Sequence, residues 1–279
     1  MAWRTPTGRR TPGGLRPLRL ALLLSALAAV AAWAARTEVR RRERLAWERT
    51  LDVAVVLLTP EGDGDAGRWG EGLDRLAARL QAESARWMGP GAPPFRFELV
   101  GPVRWRGAFP AAPTSSGVLE RARHAVELAR VLRAVDRAAG VEPGAFDLRV
   151  YVLDDGGGPT GAQSFAEGEA ALLGEVALVH GSSRGELTLP LEAIGHELLH
   201  TAGATDKYDS GGHATEPQGL AEPELAPLYP QRFAEWMAGE VPLSPGRGRL
   251  PASLDEVRVG AATAREIGWM GGPRRRRIE

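Results

Sequence analysis

Two of the five histidines in this 279-residue chain, His196 and His200, stand four residues apart, with Glu197 directly after the first. On an α-helix that spacing brings both imidazoles to one face, with Cβ atoms about 5–6 Å apart, close enough for both to meet one ion. Neutral imidazole is a good Zn²⁺ ligand, and a tetrahedral ion accepts such a pair, a third protein ligand and a water. Gly203 supplies the left-handed residue that ends a helix without a Cβ clash. The chain can turn back there, so that Asp206 reaches the same ion. With no cysteine in the sequence, disulfides, thiolate metal sites and cysteine nucleophiles are all excluded, and any metal must use histidine and carboxylate.

Read residue by residue, the segment is HExxHxxGxxD. Zinc metallopeptidases with HExxH use the glutamate as general base, which assigns Glu197 the activation of water. The segment resembles the metzincin clan, whose longer motif is HExxHxxGxxH followed by a Met-turn. Asp206 stands where that clan has its third histidine, a departure that looks like the snapalysin-type variant; carboxylate oxygen is an ordinary zinc ligand. The resemblance covers roughly residues 176 to 239. It implies that Met237, in the stretch Glu235-Trp236-Met237-Ala238-Gly239, forms the hydrophobic floor below the metal. The activity it implies is zinc-dependent cleavage of peptide bonds in a peptide or protein substrate. A non-catalytic zinc-binding domain and a zinc hydrolase of non-peptide amides are the alternatives.

Nearby residues carry weaker signals. Tyr208 is a candidate for an oxyanion or substrate contact, or a structural tyrosine. Lys207, the single lysine among 35 basic residues, reads as a salt-bridge partner. Asp209, with the Gly211-Gly212 turn, is a possible Ca²⁺ ligand or part of a solvated loop. His213 is a rival third ligand, as are Glu216, Glu222 and Glu224 for a site with a more distant glutamate. His124 and His180 are expected to be structural.

The motif must sit on a helix. Pro190 fits a first helical turn and Glu192 its positive end. Leu191, Ile194, Leu198 and Ala202 form an apolar stripe that would pack on a sheet. Strands are expected at Leu51 to Leu58, Phe95 to Val100, Leu148 to Leu153 and Val176 to Val179. Helices are expected around Leu73 to Trp87 and from Val118 to Ala139. The strand at Glu175 to Val179 would form the cleft edge that pairs with extended peptide. The order suits an α+β, zincin-like mixed sheet with backing helices and an active-site helix carrying HExxH.

Before residue 50 the character changes. Residues 1 to 19 form a basic tail with no acid. Leu20 to Ala35 is apolar apart from Ser25 and reads as an N-terminal transmembrane helix, an uncleaved anchor, with a cleavable signal as the alternative. Residues 36 to 49 are a charged linker, 50 to 272 the catalytic domain and 273 to 279 a basic tail. The arginine asymmetry around the apolar run puts the catalytic domain outside the cytoplasm, secreted if the segment is cleaved. With 35 basic against 35 acidic residues, nothing recruits nucleic acid.

Overall fold

The computed structural model describes residues 15–110, 117–154, 168–170, 176–181 and 186–271. The chain divides into two compact units, Met1–Arg42 and Glu43–Glu279. In chain order the elements are α1 (Leu15–Leu45), β1 (Leu51–Thr59), α2 (Ala66–Met88), β2 (Phe95–Arg104), α3 (Val118–Ala139), β3 (Leu148–Asp154) and β4 (Gly168–Ala170). There follow β5 (Val176–Gly181), α4 (Thr188–Thr201), β6 (Ala234–Glu235), β7 (Val241–Ser244), β8 (Arg247–Arg249), β9 (Val257–Arg258) and α5 (Ala261–Glu266).

The central sheet runs β2-β1-β3-β5-β4. β2, β1, β3 and β5 are mutually parallel, and the three-residue β4 lies antiparallel on β5 at the margin. The architecture is therefore α/β with a parallel core, and the α+β, zincin-like mixed sheet expected from the sequence is corrected. The reason lies in the connections: α2 and α3 separate consecutive strands, and a strand that returns through a helix re-enters the sheet parallel. β1 agrees with this, since LDVAVVLLT is almost wholly buried, as a strand covered on both faces must be. Val53, Val55 and Leu57 join a core with α2 and α4, while Val56 and Leu58 join Leu132 and Val135 of α3 on the opposite face. β5 also differs from expectation. It lies between β3 and β4 and is no open cleft edge; Glu175 itself is outside the described residues.

α2 is well specified locally. Asp65 caps its first turn by accepting from the Arg68 N–H at 2.9 Å, and Trp69, Leu73, Leu76 and Leu80 make its buried face. Its far side reaches the C-terminal segment. Arg79 donates to the Val257 carbonyl at 2.8 Å, and the buried Glu83 accepts from the Val259 N–H at 2.9 Å. β9 is thereby fixed against α2, and β9 pairs with β6. That chain of contacts sets the segment below α4.

The first unit contains most of α1, on which Leu20, Leu23, Leu24 and Leu27 form one stripe, each more than half exposed. No helix among the described residues is long and apolar enough to cross a membrane, so the expected transmembrane helix is corrected. Arg19 and Arg36 bound its apolar run. At 1.5 Å per residue the run reaches roughly 24 Å, against a hydrocarbon core of about 30 Å. Residues 1–14 and the basic tail 273–279 lie outside the described residues.

Candidate metal centre

α4 carries HExxH as expected, and its apolar stripe is buried: Leu191, Ile194, Leu198 and Ala202 all enter the core shared with α2 and β5. The histidine face points the other way. Helix packing leaves no freedom at Gly195, where a Cβ would come within 2.3 Å of the Trp236 ring. The indole N–H of Trp236 donates to the Glu192 carbonyl at 3.0 Å, which fixes the ring against the helix. Glu192 itself is drawn into the packing rather than left at an exposed helix start. Burial pushes its carboxyl up to about 7, eased by His196 and reinforced by Glu235.

Each imidazole is oriented through Nδ1. His196 Nδ1 lies 3.2 Å from the Trp236 carbonyl, and His200 Nδ1 lies 2.9 Å from the Ala204 carbonyl. A carbonyl only accepts, so Nδ1 is the protonated nitrogen in both rings and Nε2 is left facing the site. The rings stand edge to face at 83°, with centroids 4.6 Å apart. The chain beyond the helix behaves as its glycine demands. Gly203 has φ of 100°, its N–H caps the His200 carbonyl at 2.9 Å, and the backbone reverses. Asp206 then comes back to the histidine face, with Oδ1 3.2 Å from His196 Nε2 and 3.0 Å from His200 Nε2.

Ligand atoms at 2.0–2.1 Å from a tetrahedral ion are separated by roughly 3.3 Å. The His196–Asp206 and His200–Asp206 separations approach that edge length, and the donors would be two imidazole Nε2 atoms and a carboxylate oxygen. The residues present therefore fit a divalent ion such as zinc in donor chemistry and in these two separations. Glu197 is buried, and its ligand atom lies within 4.8 Å of those of both histidines.

The electrostatics favour a proton on His196 beside the Asp206 carboxylate. Burial alone would pull His196 down, but the bond to Asp206 and the charges of Glu192 and Glu197 push it up to about 9. His200 is lowered, by burial first and then by its proximity to His196. Asp206 is held below the ordinary carboxylate range by the hydrogen bond from His196, against a smaller opposing cost of burial. Tyr208 also hydrogen-bonds that carboxylate, and its own pKa is raised by burial and by Asp206.

Met237 is fully buried. It sits in a tight turn in which the Gly239 N–H donates to the Glu235 carbonyl at 3.0 Å, while its own N–H donates to Glu235 Oε2 at 2.6 Å. Because the preceding carbonyl, that of Trp236, receives His196, this turn lies directly against the site. Glu235 is itself buried, and desolvation raises its pKa against the N–H groups that bind it.

Three of the four rival ligands are engaged elsewhere. His213 Nδ1 faces Glu240 at 3.5 Å, Glu216 accepts from the Tyr229 hydroxyl, and Glu222 pairs with Arg232 and Arg258. Glu224 is exposed. Asp209 Oδ1 closes a turn by accepting from the Gly211 and His213 N–H groups at 2.8 and 3.1 Å. His124 is buried and His180 exposed at the end of β5. Sequence reading missed the Trp236 and Ala204 carbonyls, which residue type does not reveal. It also missed Gly195, whose position inside a helix was the available sign of close approach.

No family model matches the chain, and no curated protein matches it either. Among solved structures, it is similar to one described as the structure of a chaperone-substrate complex, at 17% identity and a TM-score of 0.33. The match takes in 78% of this chain and 33% of that one, so the chain spans about a third of its length. A likeness this distant bears on neither fold nor function.

Proposed function

We propose that the chain is a zinc-dependent metalloendopeptidase, with His196, His200 and Asp206 as metal ligands and Glu197 as general base. The observation that carries this reading is the approach of one Asp206 oxygen to both Nε2 atoms, beside a buried Glu197. The HExxHxxGxxD spacing and its resemblance to the metzincin motif support it, as does the buried Met237 in its tight turn. A bound zinc ion would acidify a water and polarise the scissile carbonyl. Glu197 takes the water proton and delivers it to the leaving amine. Trp236 and Ala204 hold the imidazole tautomers through their carbonyls. Tyr208, 43% exposed and next to Asp206, is assigned the hydrogen bond to the developing oxyanion. For substrate, β4 replaces β5 as the strand to which an extended peptide would add, since β4 is the outer strand on the β5 side of the sheet among the described residues.

The test is hydrolysis of mixed denatured proteins by the full-length chain. Cleavage that a chelator abolishes and stoichiometric zinc restores supports the reading. Zinc binding without cleavage of any protein overturns the peptidase assignment and favours a binding domain or a hydrolase of other amides.

A further inference from the structure

Lys207 is the one lysine in a chain whose other basic residues are all arginine, and it is only 4% exposed. Its ammonium group meets three acceptors, the Thr205 carbonyl, Thr205 Oγ1 and Glu266 Oε2, each at 2.7 Å. Glu266, the last residue of α5, also closes the other side of the cage. Its Oε2 accepts from the Thr205 N–H at 2.9 Å and its Oε1 from the Thr205 hydroxyl at 3.1 Å. The backbone of Lys207 is tied as well: its N–H donates to the Met237 carbonyl at 2.9 Å, and its carbonyl accepts from the Thr215 N–H at 2.8 Å.

Asp206 lies between these two anchored residues and is 44% exposed at its side chain. Among the described residues its carboxylate meets only the two imidazoles and Tyr208, so the anchored backbone on either side sets where that carboxylate can reach. Three acceptors converging on one nitrogen suit an ammonium; the flat fork of a guanidinium cannot aim three donors from one point. That explains a lysine here against the chain's strong preference for arginine. A buried ion pair is a poor source of net stability, because desolvation offsets the attraction, so its geometry is the more informative property.

We propose that Lys207 and Glu266 form a positioning clamp for Asp206, which fixes the third donor of the metal site, its one oxygen, and couples its zinc affinity to α5. This rests on the metal-site reading above. The test is zinc affinity by chelator competition in the full-length chain, with the absorption spectrum of the Co²⁺-substituted protein as a report of coordination geometry. Lys207→Met and Lys207→Arg should each weaken zinc roughly 10- to 100-fold and alter the Co²⁺ spectrum. In an Asp206→Ala background, Lys207→Met should cause no further loss, because the clamp would have nothing left to position. Glu266→Gln can keep the two bonds that Oε2 accepts but loses the one that Oε1 accepts from the Thr205 hydroxyl, along with the charge; it should show a smaller loss, and it serves if the lysine variants fold poorly. Wild-type affinity and spectrum in these variants would overturn the clamp, as would an equal loss in both backgrounds. Failure of the wild-type chain to bind Zn²⁺ or Co²⁺ at all would instead overturn the metal site, and the clamp with it.

Discussion

At the scale of single residues, the two imidazoles commit one nitrogen each to a backbone carbonyl, and proton traffic is confined to the other. His196 is pushed up to about 9, from an ordinary value near 6.5. A folded-state pKa above the unfolded one contributes stability that is complete below about pH 6.5 and is lost as pH rises through about 9. Zinc binding runs in the opposite sense, because the metal must displace that proton. Its apparent affinity should rise about tenfold per pH unit towards 9 and then level off. Competition titrations between pH 6 and 8 check this, and a flat profile contradicts it. The same titrations separate the ligand sets. Asp206→Ala should weaken zinc beyond the roughly 10- to 100-fold of an outer-shell loss, whereas His213→Ala, whose ring faces Glu240, should leave it unchanged. The side chains of this site were legible in the sequence because a helix repeat and one glycine dictate where they go. Their supports were not. A carbonyl at Trp236 or Ala204 has no sequence signature, and the Lys207–Glu266 pair joins residues 59 apart.

At the scale of elements, α4 and the segment below it act as one unit, joined where the Trp236 ring closes on Gly195. Gly195→Ala tests that junction. Alanine would gain about 1 kcal/mol of helix propensity. The new methyl would meet a ring atom at 2.3 Å, and overpacking of that kind costs about 1–3 kcal/mol. The buried ring is tethered through its indole N–H and cannot slide away, which puts the cost at the upper end, about 3 kcal/mol; the clash should then win by about 2 kcal/mol, read from the denaturation midpoint. An unchanged or higher midpoint contradicts the junction. Most long elements were readable from periodicity: β1, β3 and α3 fall within a residue of the sequence expectation. The pairing of β6 with β9 was not, because two-residue strands carry no period. Strand direction was also missed. β3 and β5 are parallel with no long helix expected between them, which sequence alone read as a mixed sheet.

At the scale of the whole molecule, the chain separates near Arg42 into a unit holding most of α1 and a unit that contains the candidate metal centre. Trp47 belongs to the second. Its indole N–H donates to the Ile267 carbonyl at 2.6 Å, and its ring meets Phe95 and Trp269 edge to face. A chain beginning at Glu43 should therefore unfold at the same temperature as the full-length protein. Trp47→Ala should cost about 3–5 kcal/mol by emptying a core position. A lowered midpoint for the truncated chain would contradict the independence of the second unit. The apolar run of α1 was visible in the sequence; that it falls short of a bilayer follows from its length in a helix bounded by arginines. The central claim, that His196, Glu197, His200 and Asp206 together hydrolyse peptide bonds, is tested most directly by comparing wild type with Glu197→Gln at matched zinc content. New peptide N-termini released from a protein substrate would be counted by mass spectrometry. The account predicts one zinc per chain in both proteins and cleavage reduced at least about 10²–10⁴-fold in the variant, because an amide cannot take the water proton. Equal cleavage by the two zinc-loaded proteins would contradict it.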